Sequence, residues 1–248
     1  MKRLREILKI IFDAVFPPLC LNCSIILSEP ERELSFCEGC LKKFSYISGF
    51  FCPACKKRLP GPETKCHQGE KFILASPFKF EDKIVQKIIH LLKYKRVKTA
   101  AKPLAFFMSQ YLLKTLEKSP ASAFSATIIP VPLHKSKERK RGFNQSLLIS
   151  EWLIFYLKES DIFHNISMEK SMIIKSRKAP SQTEQKSYLS REENIKDSFR
   201  LTNKGKVSGE NFIIVDDVFT SGSTTREIAK ILKINGARKV WALTAART

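Results

Sequence analysis

Beyond Cys66 the 248-residue sequence has no cysteine at all, so no disulfide can staple the remainder of the chain. Acid is scarce as well: 24 Asp and Glu stand against 44 Lys and Arg, a formal net charge of +20. That balance favours polyanions: nucleic acid, an anionic membrane surface or a phosphate-rich substrate. Long apolar runs are missing too, because the best candidate, Ile7 to Leu19, is broken by Lys9, Asp13, Pro17 and Pro18. Its basic start, Lys2, Arg3 and Arg5, is no export signal, since Glu6 and Asp13 fall where such a signal is apolar. A cytoplasmic protein with one ordinary domain and a small appendage is expected.

All seven cysteines crowd the first part of the chain. Cys20 and Cys23, then Cys37 and Cys40, form two C-x-x-C pairs whose separation lets four thiolates close around one structural Zn²⁺. So short a segment has little core of its own and needs such a staple. A third pair, Cys52 and Cys55, is followed by Cys66, but position 69 is Gly where a fourth thiolate would complete the set. His67 adjoins Cys66, and neighbouring residues rarely both reach one ion. The expectation is therefore one zinc per chain, with Cys52, Cys55 and Cys66 as buried thiols.

The stretch richest in chemistry is Phe212 to Thr225, FIIVDDVFTSGSTT. Phe212 to Val215 has the composition of a buried strand, and it delivers Asp216 and Asp217 to its C-terminal end. Thr220, Ser221, Gly222, Ser223 and Thr224 make a turn, and Thr225 to Ile234 reads as an amphipathic helix. Backbone N–H groups at such a helix start suit a phosphate, whereas paired carboxylates suit the vicinal hydroxyls of a sugar or a divalent metal held through water. Together they describe a ribose-5-phosphate site.

Elsewhere, residues 2–16 have helical spacing, and packing of that apolar stripe on its own protein is expected. Lys83 to Tyr94 and Pro103 to Leu116 read as helices, and Thr127 to Val131 as a strand. The stretch His134 to Arg141 reads as a basic loop, in which Lys135, Arg139 and Arg141 are candidates to grip pyrophosphate at a strand end. Phe143 to Leu157 follows as a helix. Met172 to Lys175 and Phe199 to Leu201 read as core strands flanking a polar lid, Ser176 to Asn194, which carries Arg177, Gln182 and Arg191. Lys239 to Ala245 closes the sheet. Alternating strands and helices imply an α/β fold, a parallel sheet flanked by helices, with residues 1–70 as an N-terminal zinc-ribbon domain and 71–248 as the larger domain.

Residues 212–225 resemble the phosphoribosyl-pyrophosphate (PRPP) loop of type I phosphoribosyltransferases. Together with the cysteine pairs and Val131 to Ser146 (VPLHKSKERKRGFNQS), they resemble the ComF family of competence-associated proteins, in which a zinc ribbon precedes a phosphoribosyltransferase-like domain. The run Lys140 to Gln145 and the Arg191 to Asn194 pattern carry the same resemblance. It implies PRPP and Mg²⁺ binding, a link to DNA uptake, and transfer to an unidentified acceptor. In that reading Asp216 and Asp217 hold ribose hydroxyls, Thr220 to Thr224 hold the 5-phosphate, and Arg139, Arg141 and a catalytic Arg177 neutralise pyrophosphate. The competing expectation is a non-catalytic module for single-stranded DNA or a helicase-like partner.

Overall fold

The computed structural model describes residue 8 and residues 11–64, 66–117, 125–158, 160, 162–163, 165–175, 198–203 and 206–248. The lid residues, Arg177, Gln182 and Arg191 among them, lie outside this set.

Two short helices, α1 (Glu29–Arg32) and α2 (Glu38–Leu41), accompany the first cysteines, and the hairpin β1 (Phe50–Phe51) and β2 (Arg58–Leu59) follows. Next come β3 (Ile73–Ala75), β4 (Phe78–Lys79), α3 (Lys83–Tyr94), α4 (Ala101–Leu116) and β5 (Ser125–Pro130). The chain continues through α5 (Lys135–Arg141), α6 (Gln145–Leu157), β6 (Asn165–Met168), β7 (Ile173–Lys175) and β8 (Phe199–Leu201). It finishes with β9 (Asn211–Phe219), α7 (Ser223–Ile234) and β10 (Lys239–Arg247).

The main sheet is mixed and mostly parallel, in the order β2-β1-β3-β10-β9-β5-β6, with β4 also on β10. Its central strands β9, β10 and β5 run parallel, whereas the β1–β2 hairpin adds antiparallel through β3, so ribbon and larger domain share one sheet. One face is covered by α3, α4 and α6, where Val85, Ile88, Leu104, Met108, Ile149 and Leu153 are buried. The ribbon's Phe36 and Phe50 join that same cluster. On the other face Ile228 and Leu232 of α7 pack with Ile214 and Ala242. Among the described residues, no helix is long and apolar enough to cross a membrane.

Several local expectations are revised. The basic stretch is a helix rather than a loop: His134 caps it by accepting the Ser136 N–H at 3.2 Å, and Gly142 ends it in the left-handed conformation (φ 87°). Lys, Arg and Glu are good helix formers, and cations in the last turn complement the helix dipole. β7 and β8 are not strands of the main sheet: among the described residues they pair with each other, antiparallel, in a separate two-stranded sheet, while Ile173 and Phe199 are buried in the core beside Phe212 and Ile214. Near the N-terminus, Ile11, Phe12, Val15 and Phe16 are each more than half exposed, so this part of the stripe does not pack on the rest of the described chain.

Candidate functional site

Strand β9 runs through the two aspartates rather than stopping before them. Its side-chain alternation slips at the acids: Ile213, Val215 and Val218 meet one core cluster, whereas Phe212, Ile214 and Phe219 meet the other. The pairing of β9 with β10 nonetheless keeps one register from Asn211 to Phe219. Asp217 is buried, and its Oδ1 lies 2.6 Å from the Lys93 ammonium. Its Oδ2 is buried with no hydrogen-bond partner among the described residues. A buried carboxylate oxygen left without a donor is costly and marks a place for one.

Asp216 keeps part of its surface open at the mouth, although protein surrounds it deeply. Its Oδ1 accepts from the Ser146 hydroxyl at 2.8 Å and from the Asp217 N–H at 2.9 Å. Burial, with the Asp217 charge adding, pushes its pKa up to about 7 against the opposing pull of Lys93 and Ser146.

Lys93 and Ser146 arrive from distant sequence. Asp82 starts α3 by accepting the Ile84 and Val85 N–H groups, Val85, Ile88 and Leu92 bury that helix, and Lys93 follows in its last turn. Ser146 sits in the first turn of α6, whose cap Asn144 accepts the Ser146 N–H at 3.0 Å and donates to the Val131 carbonyl at 3.0 Å. The end of β5 therefore fixes the serine that steadies Asp216. Neither residue stands out in the sequence, although Ser146 opens the second helix after the end of β5, where ligands collect in such sheets.

After Phe219 the chain turns through Thr220 and Ser221 into α7. Gly222 caps that helix at φ 75° without a side-chain cap, so first-turn N–H groups remain for a ligand. A Cβ at Gly222 would fall 2.3 Å from the Phe219 ring, so glycine is required twice over. The Ser221 and Ser223 hydroxyls are 2.9 Å apart. Asp216, Asp217 and the 220–224 turn thus follow one another at the end of one central strand.

The expected pyrophosphate cations are arranged differently. Lys135 and Arg139 are exposed on α5, and no described contact joins them to the aspartates; Arg141 donates to Gln145 Oε1. Lys175, at the end of β7, interacts electrostatically with Asp216 and Lys137; burial chiefly, then the Lys137 charge, lowers its pKa. Among the described residues, Lys93 pairs with Asp217, and Lys175 is the cation whose charge Asp216 feels.

The cysteines form two donor sets. Cys20, Cys23, Cys37 and Cys40 bring their sulfurs within 4.8 Å of one another, as the spacing predicted. The second set corrects the expectation of three buried thiols: only Cys52 is buried, Cys66 is exposed, and Cys52, Cys55, Cys66 and His67 Nδ1 meet the same limit. Cys55 and Cys66 sulfurs are 3.7 Å apart, and Cys52 Sγ is 3.4 Å from His67 Nδ1. Tetrahedral zinc with Zn–S near 2.3 Å sets ligand atoms about 3.8 Å apart, so both sets fit the ion. The knuckles also fold alike: Ser24 donates to the Cys20 carbonyl and Lys56 to that of Cys52, at 2.9 and 2.8 Å, and both donors are left-handed.

The family model described as phosphoribosyl transferase domain matches residues 159–247, and that described as double zinc ribbon domain matches residues 11–69. The chain is 29% identical over 232 residues to the DNA utilization protein YhgH of Salmonella typhimurium, covering 91% of this chain and 92% of that one. It is 27% identical to competence protein F of Haemophilus influenzae, covering 92% and 90% of the two chains. Identity to competence protein ComFC of Bacillus subtilis is 24%, covering 86% and 83%.

Proposed function

The chain belongs to the ComF family, and from that premise we propose that it is a PRPP-binding phosphoribosyltransferase of the cytoplasm that acts in DNA uptake or utilization. The observation that carries the reading is the buried, unpartnered Asp217 Oδ2 at the strand end that leads into the uncapped helix α7. A ribose hydroxyl supplies the donor that oxygen lacks. The α7 N-terminus supplies the N–H groups and positive dipole end that a 5-phosphate needs.

Asp216 and Asp217 orient the sugar through its hydroxyls, with Ser146 and Lys93 holding the two carboxylates in place. Lys93, Lys175 and Lys137 supply positive charge that favours a departing pyrophosphate, and Arg177, two residues beyond Lys175 in sequence, is the candidate to act with them. Asp216 and Asp217 would hold a Mg²⁺ ion through water, and that ion would offset charge on the leaving group. Catalysis is then positioning and electrostatics at the anomeric carbon, with no protein nucleophile. Zinc in the two ribbon sets is structural, because closed four-ligand coordination leaves no open position. Pyrophosphate release from PRPP, measured against a panel of bases, amines and single-stranded DNA, tests the transferase reading. Release with at least one acceptor, lost in Asp217→Asn, is expected; none with any acceptor contradicts transfer.

A second reading rests on α5, where Lys135, Lys137, Arg139 and Lys140 are all exposed on one short helix of a chain with net charge +20. In it the chain binds single-stranded DNA, or a helicase-like partner on that DNA, without chemistry. Retardation of single-stranded DNA that weakens steeply with salt supports it, and no retardation at low salt removes it.

A further inference from the structure

The phosphate loop is tied to the second cysteine–histidine set by one side chain that neither the loop motif nor the metal ligands include. Arg226, in the first turn of α7, spreads its guanidinium over three acceptors. Nη1 donates to the Ser221 carbonyl at 2.5 Å, Nη2 to the Pro53 carbonyl at 3.0 Å, and Nε to Glu70 Oε1 at 3.3 Å. Pro53 lies between Cys52 and Cys55, and Glu70 follows Cys66 and His67. One planar cation therefore bridges both limbs of the second metal loop and the turn that faces the ligand. Phe72, just past Glu70, also meets the Phe219 ring beneath Gly222, with centroids 6.2 Å apart.

The position of the Ser221 carbonyl matters because a trans peptide points its C=O and the next N–H in opposite directions. Holding that oxygen toward Arg226 turns the Gly222 N–H away from the ribbon. Gly222 itself has no room to yield, with Phe219 on one side and Arg226 Nη1 3.3 Å from where its Cβ would be.

Resting on the PRPP reading of the loop, we propose that Arg226 is a positioning residue through which zinc at Cys52, Cys55, Cys66 and His67 holds the phosphate loop in its binding conformation. Zinc closes the two limbs on each other, the limbs hold the guanidinium, and the guanidinium holds the Ser221–Gly222 peptide. Loss of the second zinc therefore loosens a site on a different element, while the first zinc set stays as it was.

The test compares the zinc-loaded full chain with Arg226→Ala, His67→Ala and the double variant. Hydrogen exchange over residues 219–225 is followed beside residues 145–157 as an internal control. Zinc content and PRPP affinity by calorimetry are measured in parallel. Expected are one zinc lost in His67→Ala but none in Arg226→Ala, and exchange at 219–225 about tenfold faster in either, the scale of one lost charge-assisted hydrogen bond. The double variant should be no faster than the singles, because both changes cut one linkage. PRPP affinity falls by a similar factor in all three variants. Unchanged exchange at 219–225 in Arg226→Ala or in His67→Ala, or additive effects in the double variant, overturns the proposal. If wild type binds no PRPP, the function proposed above fails, yet the exchange result still decides this linkage. Should Arg226→Ala not fold, Arg226→Lys, which keeps the charge but cannot bridge three acceptors, takes its place with the same expected outcomes.

Discussion

Lys93 and Asp217 are 124 positions apart in sequence and 2.6 Å apart in the fold, joined by an ion pair in which the aspartate is buried. Breaking such a pair leaves a charge with no compensation, at a cost of about 3 kcal/mol or more. Lys93→Ala is therefore expected to lower the urea midpoint, and Lys93→Ala combined with Asp217→Asn to recover much of the loss. Equal stability of Lys93→Ala and wild type contradicts the buried pairing.

Asp216 makes the protein pH-sensitive. Its folded value of about 7 lies above the ordinary carboxyl value of 3.8, so its contribution favours the fold while it is protonated and is lost as pH rises from near 4 through 7. Wild type should then lose more stability over that range than Asp216→Asn, as read from urea midpoints at several pH values. Ligand binding that requires the ionised acid should release a proton below pH 7. Calorimetry in two buffers of different ionisation enthalpy reads that proton directly, and equal heats at pH 6 contradict it.

Ser146 contributes through Asp216 Oδ1 rather than by touching solvent. Ser146→Ala removes one of two donors to that oxygen. A loss of about 1–3 kcal/mol in PRPP binding or stability is expected. A further rise in the Asp216 pKa, followed by carboxyl NMR, separates this role from simple packing, and an unmoved pKa contradicts it.

Gly222→Ala places a Cβ against the Phe219 ring at a positive φ. Backbone strain of about 1–3 kcal/mol is expected. PRPP binding should fail before the fold does, because α7 remains anchored by Ile228 and Leu232. Wild-type affinity in this variant would show that the turn is not the phosphate site.

Zinc content separates the two readings of the cysteines. The donor geometry predicts two zinc ions per chain, falling to one in Cys66→Ala and one in Cys40→Ala. One ion in wild type would restore the reading from spacing alone.

Much of this site was legible because it is local. The strand, the acids, the turn and the helix are contiguous, so period and composition expose them within fourteen residues, 212–225. What escaped arrives by tertiary packing: Lys93 and Ser146 reach the acids from helices whose sequences advertise only their buried faces. The run 135–141 was misread because a row of cations suggests solvent, although His134 and Gly142 are adequate caps and its residues are good helix formers. His67 was discounted for adjoining Cys66, yet the turn there brings both donors to one point. Arg226 had no sequence signature, since its three acceptors come from three separate segments.

The central claim is that Asp216, Asp217 and the 220–224 turn bind PRPP. Calorimetric titration of the zinc-loaded chain with PRPP and Mg²⁺ tests it most directly. Saturable one-site binding in wild type, abolished in Asp216→Ala with Asp217→Ala and in Gly222→Ala while each variant keeps its zinc and its fold, is the predicted result. No binding in wild type, or the same affinity after the acids are removed, would contradict it.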